Sequence, residues 1–232
     1  MYLSLIVKNI DTKSPKTAFH SKGIIMKYKL VIFDFDGTLA DSFPWFMKTL
    51  DIVTNEFNLN KINLEDMPEL RKLDSLSFLK HLKIPLYKLP RISTYMRNMM
   101  SENIDEIKMF DGIENMFHEL KKLGHKIAIV STNSKENIIK VLGDELIKMN
   151  DYFVGGVSVF GKESKLKKVL KLSGIDKKDA IYIGDELRDI FASKKVGMPC
   201  GAVAWGVNDA DALAALEPDE MFYEIEQVLQ RV

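Results

Sequence analysis

The stretch of sequence that decides the fold runs from Lys29 to Thr38 and reads KLVIFDFDGT. The mainly apolar run Lys29–Phe35 contains one carboxylate, Asp34, near its end, and a second carboxylate, Asp36, follows directly. Unbroken apolar runs of this length are typical of strands covered on both faces, as in parallel sheets. We therefore predict a buried strand whose carboxyl end carries a pair of acids.

Similar apolar runs recur later in the chain and predict four more strands: Lys126–Val130, Phe153–Phe160, Ala180–Ile183 and Gly201–Ala204. Helical spacing of apolar residues predicts helices among them: Ile113–Leu123, Glu136–Leu142, Lys165–Leu172 and Leu187–Val196. Alternating strands and helices predict the α/β class, with a parallel sheet covered on both faces.

Residues 42–108 break this alternation because they contain no convincing strand. Phe46, Leu50, Val53 and Phe57 follow helical spacing, and the segment is much longer than a simple crossover. We predict that residues 42–108 form an inserted helical cap and that residues 27–41 and 109–232 form the core. One oversized helical crossover packed on the sheet is the alternative.

Residues 1–26 are an N-terminal extension of unknown role, with Met26 as an alternative start.

Composition narrows the class of protein. The chain has 33 basic and 33 acidic residues, and this absence of a basic excess argues against a nucleic-acid partner. A single cysteine, Cys200, excludes a disulfide framework and a cysteine-based zinc site. With no signal peptide and no apolar run long enough to span a bilayer, we expect a cytoplasmic protein without a membrane partner. The sequence leaves open a monomer or a homodimer.

Residues able to do chemistry follow four of the predicted strands, where open parallel sheets bind their ligands. They are Asp34 and Asp36, Ser131 to Asn133, Lys162, and Asp185 with Asp189.

The pair Asp34 and Asp36 predicts a metal-assisted nucleophilic site. Residues two apart on a strand share a face, so the two carboxylates would repel unless a cation such as magnesium intervened. One carboxylate can attack phosphorus, while the other acts as general acid and base. Gly37 permits a tight turn. The alternative is a simple Asp-Gly turn.

The other strand ends supply groups that suit a phosphate and its metal. The Ser131 hydroxyl and the backbone amides of Thr132 and Asn133 can donate to phosphate, although this stretch could simply cap the next helix. Lys162 can offset negative charge during phosphoryl transfer, although most lysines are merely solvated. Asp185 and Asp189 can complete a metal site, or they can stabilise a helix N-terminus.

These motifs together resemble the haloacid dehalogenase superfamily, and within it the phosphoglycolate-phosphatase-like group. The resemblance rests on Asp34-x-Asp36-Gly37-Thr38, Ser131, Lys162 and Gly184-Asp185-x-x-x-Asp189. It implies a Rossmann-like core with a mobile helical cap.

By family role, Asp34 would be the nucleophile and a metal ligand. Asp36 would be the general acid and base, with its backbone carbonyl on the metal. Thr38 would support the Asp36 loop and join the phosphate-binding set of Ser131, Thr132, Asn133 and Lys162. Asp185 would bind magnesium, and Asp189 would complete the metal shell or orient the lysine.

The resemblance implies a magnesium-dependent phosphatase acting on a small phosphorylated metabolite, either phosphoglycolate-like or a sugar phosphate. In family members, a Pro-x-Pro sequence commonly follows the lysine of the third motif, but Glu163-Ser164-Lys165 follows Lys162 here. Lys165 is therefore an alternative to Lys162, which we favour. Arg71 is a candidate for binding the substrate. A phosphosugar mutase and a non-catalytic regulatory protein are the alternative functions. A dehalogenase is disfavoured because it does not need the acid at Asp36.

Overall fold

The computed structural model describes residues 26–156 and 161–232. Its strands are β1 (Leu30–Phe33), β2 (Ala40–Asp41), β3 (Lys108–Met109), β4 (Lys126–Val130), β5 (Tyr152–Val154), β6 (Ala180–Gly184), β7 (Cys200–Val203) and β8 (Glu220–Phe222). Its α-helices are α1 (Phe43–Glu56), α2 (Met67–Leu70), α3 (Ser75–His81), α4 (Leu89–Glu102), α5 (Ile113–Leu123), α6 (Lys135–Met149), α7 (Lys162–Ser173), α8 (Leu187–Val196), α9 (Ala210–Ala214) and α10 (Glu226–Arg231).

Within the described part of the chain, six parallel strands form one sheet in the order β5-β4-β1-β6-β7-β8. Strand β1 lies inside this sheet, and its side chains alternate between two hydrophobic clusters. Val31 and Phe33 pack into one cluster, whereas Leu30 and Ile32 pack into the other. Burial on both faces explains the unbroken apolar run and confirms the predicted α/β fold with a parallel sheet.

The predicted element boundaries differ from the structure mainly at glycines and at strand ends. Strand β5 ends at Val154, so the predicted strand from Phe153 is wrong at Gly155 and Gly156. Its remainder, residues 157–160, lies outside the described residues, as do residues 1–25 of the predicted extension. Helix α6 is kinked at Gly143, whose φ of 77° is not helical, so the predicted helix Glu136–Leu142 lies in its first part and a second helical part, residues 144–149, follows the kink.

Residues 42–108 hold the helices α1 to α4, and the chain leaves and re-enters the sheet region through adjacent segments. Strand β2 pairs with β3 in antiparallel fashion, with Ala40 opposite Met109 and Asp41 opposite Lys108. The helices have hydrophobic clusters of their own, one around Leu50 and another around Val53. No helix among residues 26–156 and 161–232 has the length and apolar character required to span a membrane.

Candidate active site

The register of the sheet brings the first and last acidic motifs together. Phe33 is paired with Ile183, and the backbone N–H of Asp34 donates to the carbonyl of Ile183 at 2.9 Å. Asp34 and Asp185 each follow these strands closely, so parallel in-register pairing makes them neighbours. Both side chains are buried.

Three carboxylates form a buried cluster beyond the ends of β1 and β6. Ligand oxygens of Asp34, Asp185 and Asp189 all lie within 4.8 Å of one another. Thr38 Oγ1 donates to Asp185 Oδ1 at 2.8 Å, and the N–H of Val207 donates to Asp185 Oδ2 at 2.8 Å. Thr38, predicted to bind phosphate, is thus bonded to the acid of the last motif.

Two glycines let the chain approach Asp185 closely. Gly37 has a left-handed φ of 74°, and a Cβ there would overlap the Asp185 carboxylate. Gly206 lies in the loop after β7, and a Cβ on this residue would also overlap the Asp185 side chain. Glycine is therefore required at position 37 both for the predicted turn and for the close packing of the backbone against Asp185.

Burial sets the electrostatics of these acids. It raises the pKa of Asp34 to about 6, against the opposing effect of the Lys162 ammonium. Burial also raises the pKa of Asp185 well above its ordinary value, and the nearby Glu186 and Asp34 carboxylates add to the rise. A divalent cation would relieve both effects, because it stabilises the ionised carboxylates.

Lys162, at the start of α7, reaches into the acidic cluster. Its Nζ lies 2.5 Å from Asp34 Oδ2 and also contacts Asp189 Oδ1. Burial lowers the pKa of Lys162, but the charges of Asp189 and Asp34 outweigh this and raise it overall. Asp189 is held in turn by the Tyr182 hydroxyl at 3.2 Å and by the N–H of Glu186 at 3.0 Å.

Lys165, the alternative lysine, has different partners. Its Nζ donates at 3.0 Å to each of the carbonyls of Ser131 and Gly156. Burial lowers the pKa of Lys165 to about 8. Lys162 is therefore the lysine that contacts Asp34, whereas Lys165 ties the second motif to the loop after β5.

The second motif lies beside the first, but its groups are used differently from the prediction. The N–H of Asn133 donates to Ser131 Oγ at 2.9 Å, so this amide is bonded within the protein. The Ser131 hydroxyl hydrogen remains able to donate to a ligand. The cap of α6 is Ser134, which accepts from the N–H of Asn137, so Ser131–Asn133 do not supply the helix cap that the alternative interpretation predicted.

Asp36 is separated from the acidic cluster. Its carboxylate accepts from Asn133 Nδ2 at 3.2 and 3.1 Å. Burial raises its pKa, and the Asn133 hydrogen bond opposes the rise. Strand β1 ends at Phe33, so the two-residue alternation that predicted a shared face with Asp34 no longer applies at Asp36.

A cavity of about 350 Å³ lies between the strand ends and the four helices of residues 42–108. We call it the α1–α4 cavity. At the sheet end its lining includes Asp36, Thr132, Asn133 and Arg188. Thr132, a predicted phosphate-binding residue, therefore faces the same space as the Asp36 carboxylate.

Arg71 also lines this cavity, but its guanidinium is engaged. Its Nε donates to the carbonyl of Val207 at 2.7 Å, and its Nη2 donates to that of Gly206 at 2.8 Å. The guanidinium also lies over the ring of Phe43, 5.3 Å from its centre. In this structure Arg71 ties α2 to the loop after β7, and its predicted contact with substrate stays a prediction.

Sequence reasoning missed the two charged residues between Asp185 and Asp189. Arg188 Nη2 donates to Glu186 Oε1, and both residues line the α1–α4 cavity. The nearby carboxylates of Glu186, Asp189 and Asp34 raise the pKa of Arg188 despite its burial. The signal that could have identified Glu186 and Arg188 is their position between Asp185 and Asp189, inside the last motif.

The cluster fits a hard divalent cation. Its donors are carboxylate oxygens, the ligands that magnesium prefers. Three buried carboxylates against one buried ammonium also leave a surplus of negative charge that a cation would offset. Fold and site together define an α/β protein whose parallel sheet carries a carboxylate, a lysine and a metal-competent acidic cluster at the strand ends.

Comparison with known proteins identifies the family. The profile of the haloacid dehalogenase-like hydrolase family matches residues 31–203. The chain belongs to this family, so the predicted relationship and the predicted hydrolase class are confirmed.

Two curated relatives match almost the whole chain. A phosphoglycolate phosphatase from Synechococcus elongatus is 27% identical over 203 residues, covering 87% of this chain and 96% of the relative. The pyrophosphatase PpaX of Bacillus cereus is 27% identical over 216 residues, covering 88% and 96%.

Solved structures share the fold. A haloacid dehalogenase-like hydrolase from Streptococcus pneumoniae superposes with a TM-score of 0.72 at 19% identity, covering 88% of this chain and 98% of that one. CbbY from Rhodobacter sphaeroides, solved with phosphate, superposes with a TM-score of 0.65 at 20% identity, covering 87% and 96%.

Proposed function

We propose that this chain is a magnesium-dependent phosphatase that hydrolyses a small phosphorylated metabolite through an aspartyl-phosphate intermediate. The observation that carries the proposal is the contact of Lys162 with Asp34 inside the buried acidic cluster. The names of the two curated relatives support phosphoglycolate and pyrophosphate as first candidate substrates, with sugar phosphates beside them.

In the first step, an Asp34 oxygen attacks phosphorus and the bond from phosphorus to the leaving oxygen breaks. Asp36 donates its proton to that oxygen. Its buried carboxyl has a raised pKa, which favours the protonated form that a general acid requires. Lys162 and the Ser131 hydroxyl stabilise the phosphoryl oxygens by charge and by hydrogen bonding.

In the second step, water attacks the aspartyl-phosphate and Asp36 takes the proton from that water. The products are inorganic phosphate and regenerated Asp34. The carboxylates of Asp34 and Asp185 and the backbone carbonyl of Asp36 would hold the magnesium ion, and Asp189 would orient the metal shell or Lys162. When bound, the ion would supply positive charge that offsets the carboxylates and the phosphate.

Residues 42–108 act in this proposal as a cap that closes over the site. Attack by a carboxylate favours a dry site, whereas the second step requires water, so a segment that opens and closes suits both. The adjacent strands β2 and β3 would be its hinges.

The test is an assay for free phosphate with magnesium against phosphoglycolate, pyrophosphate, sugar phosphates and para-nitrophenyl phosphate. Wild-type protein should release phosphate, and Asp34→Asn should not, while circular dichroism and the thermal midpoint stay close to wild type. Near-wild-type turnover by Asp34→Asn would falsify the nucleophile assignment. An isomerised substrate without free phosphate would indicate the mutase alternative.

A further inference from the structure

The α1–α4 cavity separates two hydrophobic clusters that would otherwise form one core. Leu50, Leu70 and Leu82 belong to one cluster, whereas Val53 and Ile92 belong to the other. All five residues line the cavity. This mainly apolar space of about 350 Å³ lies among α1 to α4 and is partly open to solvent, so it is a pocket that a ligand can enter.

The volume and position of the cavity match a ligand site. Its volume lies within the range of roughly 300–1,000 Å³ that is typical of small-molecule pockets. The same cavity is bounded by Asp36, Thr132 and Asn133 at the sheet end. A molecule whose phosphate lies at the strand ends would extend its organic part between α1 and α4.

Three polar side chains along this cavity are already bonded within the protein. Arg71 donates to the backbone carbonyls of Val207 and Gly206. Asn208 Nδ2 donates to two backbone carbonyls and its Oδ1 accepts from Leu187. Thr54 Oγ1 donates to the carbonyl of Asp51, three residues earlier in α1.

Apolar side chains from every helix of the segment supply most of the remaining wall, beside the polar Ser75, Ser93 and Arg97. Examples are Trp45 and Phe46 from α1, Leu70 from α2, Phe78 from α3, and Ile92 and Met96 from α4. Such a wall offers few partners to the hydroxyl groups of a sugar. Burying a hydroxyl without a partner is unfavourable, whereas burying hydrocarbon is favourable.

We infer that the preferred substrate is a phosphomonoester whose organic part is mainly hydrocarbon, aliphatic or aromatic, and longer than two carbons. This inference rests on the proposed phosphatase function and narrows its substrate class. It ranks such esters above phosphoglycolate and above sugar phosphates. The apolar part lies between the Leu50 and Val53 clusters and joins them.

The first test compares substrates on wild-type protein with magnesium. Along ethyl, butyl and hexyl phosphate, kcat/KM should rise on the order of threefold to fourfold for each methylene that enters the cavity. Propyl phosphate should exceed glycerol 3-phosphate, which has the same carbon chain with two added hydroxyls, by about tenfold or more. A flat or falling series, or a preference for glycerol 3-phosphate, overturns the inference.

The second test places a hydroxyl in the wall. Val53→Thr keeps the shape of a buried, cavity-lining side chain, and Ile52→Thr is the matched control because Ile52 is half exposed on the same helix. Val53→Thr should lower the ratio of kcat/KM for hexyl over ethyl phosphate at least threefold, and Ile52→Thr should leave that ratio unchanged. An equal effect of both variants contradicts the inference. If Val53→Thr does not fold, the wild-type series decides.

A third measurement separates failure of this inference from failure of the proposed function. Calorimetry with hexylphosphonate and ethylphosphonate, which are not hydrolysed, reports binding without turnover. Tighter binding of hexylphosphonate supports the cavity assignment even if no ester is hydrolysed, an outcome that would reject only the phosphatase proposal. Hydrolysis of para-nitrophenyl phosphate together with equal phosphonate affinities rejects only the cavity assignment.

Discussion

The Nζ atom of Lys162 lies 2.5 Å from Oδ2 of Asp34, and both side chains are buried. Residues separated by 128 positions in the sequence thus form an ion pair at the carboxyl ends of the strands. Asp189 contacts the same ammonium and fixes its direction. This pairing places Lys162 rather than Lys165 beside Asp34, the proposed nucleophile.

The first prediction distinguishes the two lysines of α7. Lys162→Met should lower kcat for para-nitrophenyl phosphate on the order of 100-fold to 1,000-fold, because it removes the charge beside Asp34. Lys165→Met should mainly lower stability, since its partners are the backbone carbonyls of Ser131 and Gly156. Lys168→Met, on an exposed position of the same helix, is the control. A larger loss of kcat for Lys165→Met than for Lys162→Met would reverse the assignment.

The second prediction concerns the metal. Chelation with EDTA should stop phosphate release and added magnesium should restore it, because Asp34, Asp185 and Asp189 form the acidic cluster. Calcium should inhibit, since its larger coordination number allows a carboxylate to bind through both oxygens and occupies the oxygen needed for attack. Full activity in a chelated, metal-free sample would contradict the proposal.

The third prediction uses the close approach of Gly206 to Asp185. Gly206→Ala should raise the magnesium concentration for half-maximal activity roughly 10-fold to 100-fold, because the added Cβ would overlap the Asp185 side chain and the backbone carbonyl of Gly37 and so displace Asp185. Gly201→Ala is the matched control, since its Cβ would crowd Phe222 in the core instead. It should lower the thermal midpoint without changing the magnesium dependence. An unchanged magnesium requirement in Gly206→Ala would argue against Asp185 as a ligand.

The fourth prediction tests the proposed cap. Asp41 and Lys108 are paired directly in β2 and β3, so a two-residue Asn-Gly turn can replace residues 42–107. The shortened protein should stay folded and should still hydrolyse para-nitrophenyl phosphate, but it should lose selectivity among small phosphorylated metabolites. Retention of the wild-type order of substrates would show that residues 42–107 do not select substrate. Efficient dephosphorylation of intact phosphoproteins by the full chain would also count against a closing cap.

The fifth prediction concerns acid stability. His125 is buried with Nδ1 at 2.8 Å from the carbonyl of Tyr28, and burial lowers its pKa below 6.5. The unfolded chain therefore binds this proton more readily, so the histidine contributes a loss of stability as pH falls below about 6.5. The free energy of unfolding from pH 7.5 to pH 5 should fall less in His125→Asn than in wild type. His81→Asn, on an exposed position, should match wild type. Equal slopes in wild type and His125→Asn would contradict the role of His125.

Several features of the fold and site were determined by the sequence alone. The run Leu30–Phe33 is apolar at every position because both faces of β1 are covered, and this pattern is local. Lys126–Val130 and Ile113–Leu123 were predicted with their observed bounds, since charge or glycine ends each pattern sharply. The candidate acids, serine and lysine were identifiable because each follows a strand.

Only the tertiary structure decided how those residues are used. Strand register places Asp34 beside Asp185. The position of α7 places the ammonium of Lys162, rather than that of Lys165, against Asp34. The same packing turns Arg71 onto the carbonyls of Val207 and Gly206, and it brings Glu186 and Arg188 to the α1–α4 cavity. Periodicity reports which face of an element is buried. It carries no information on distances between elements, because these depend on how whole helices and strands pack against one another.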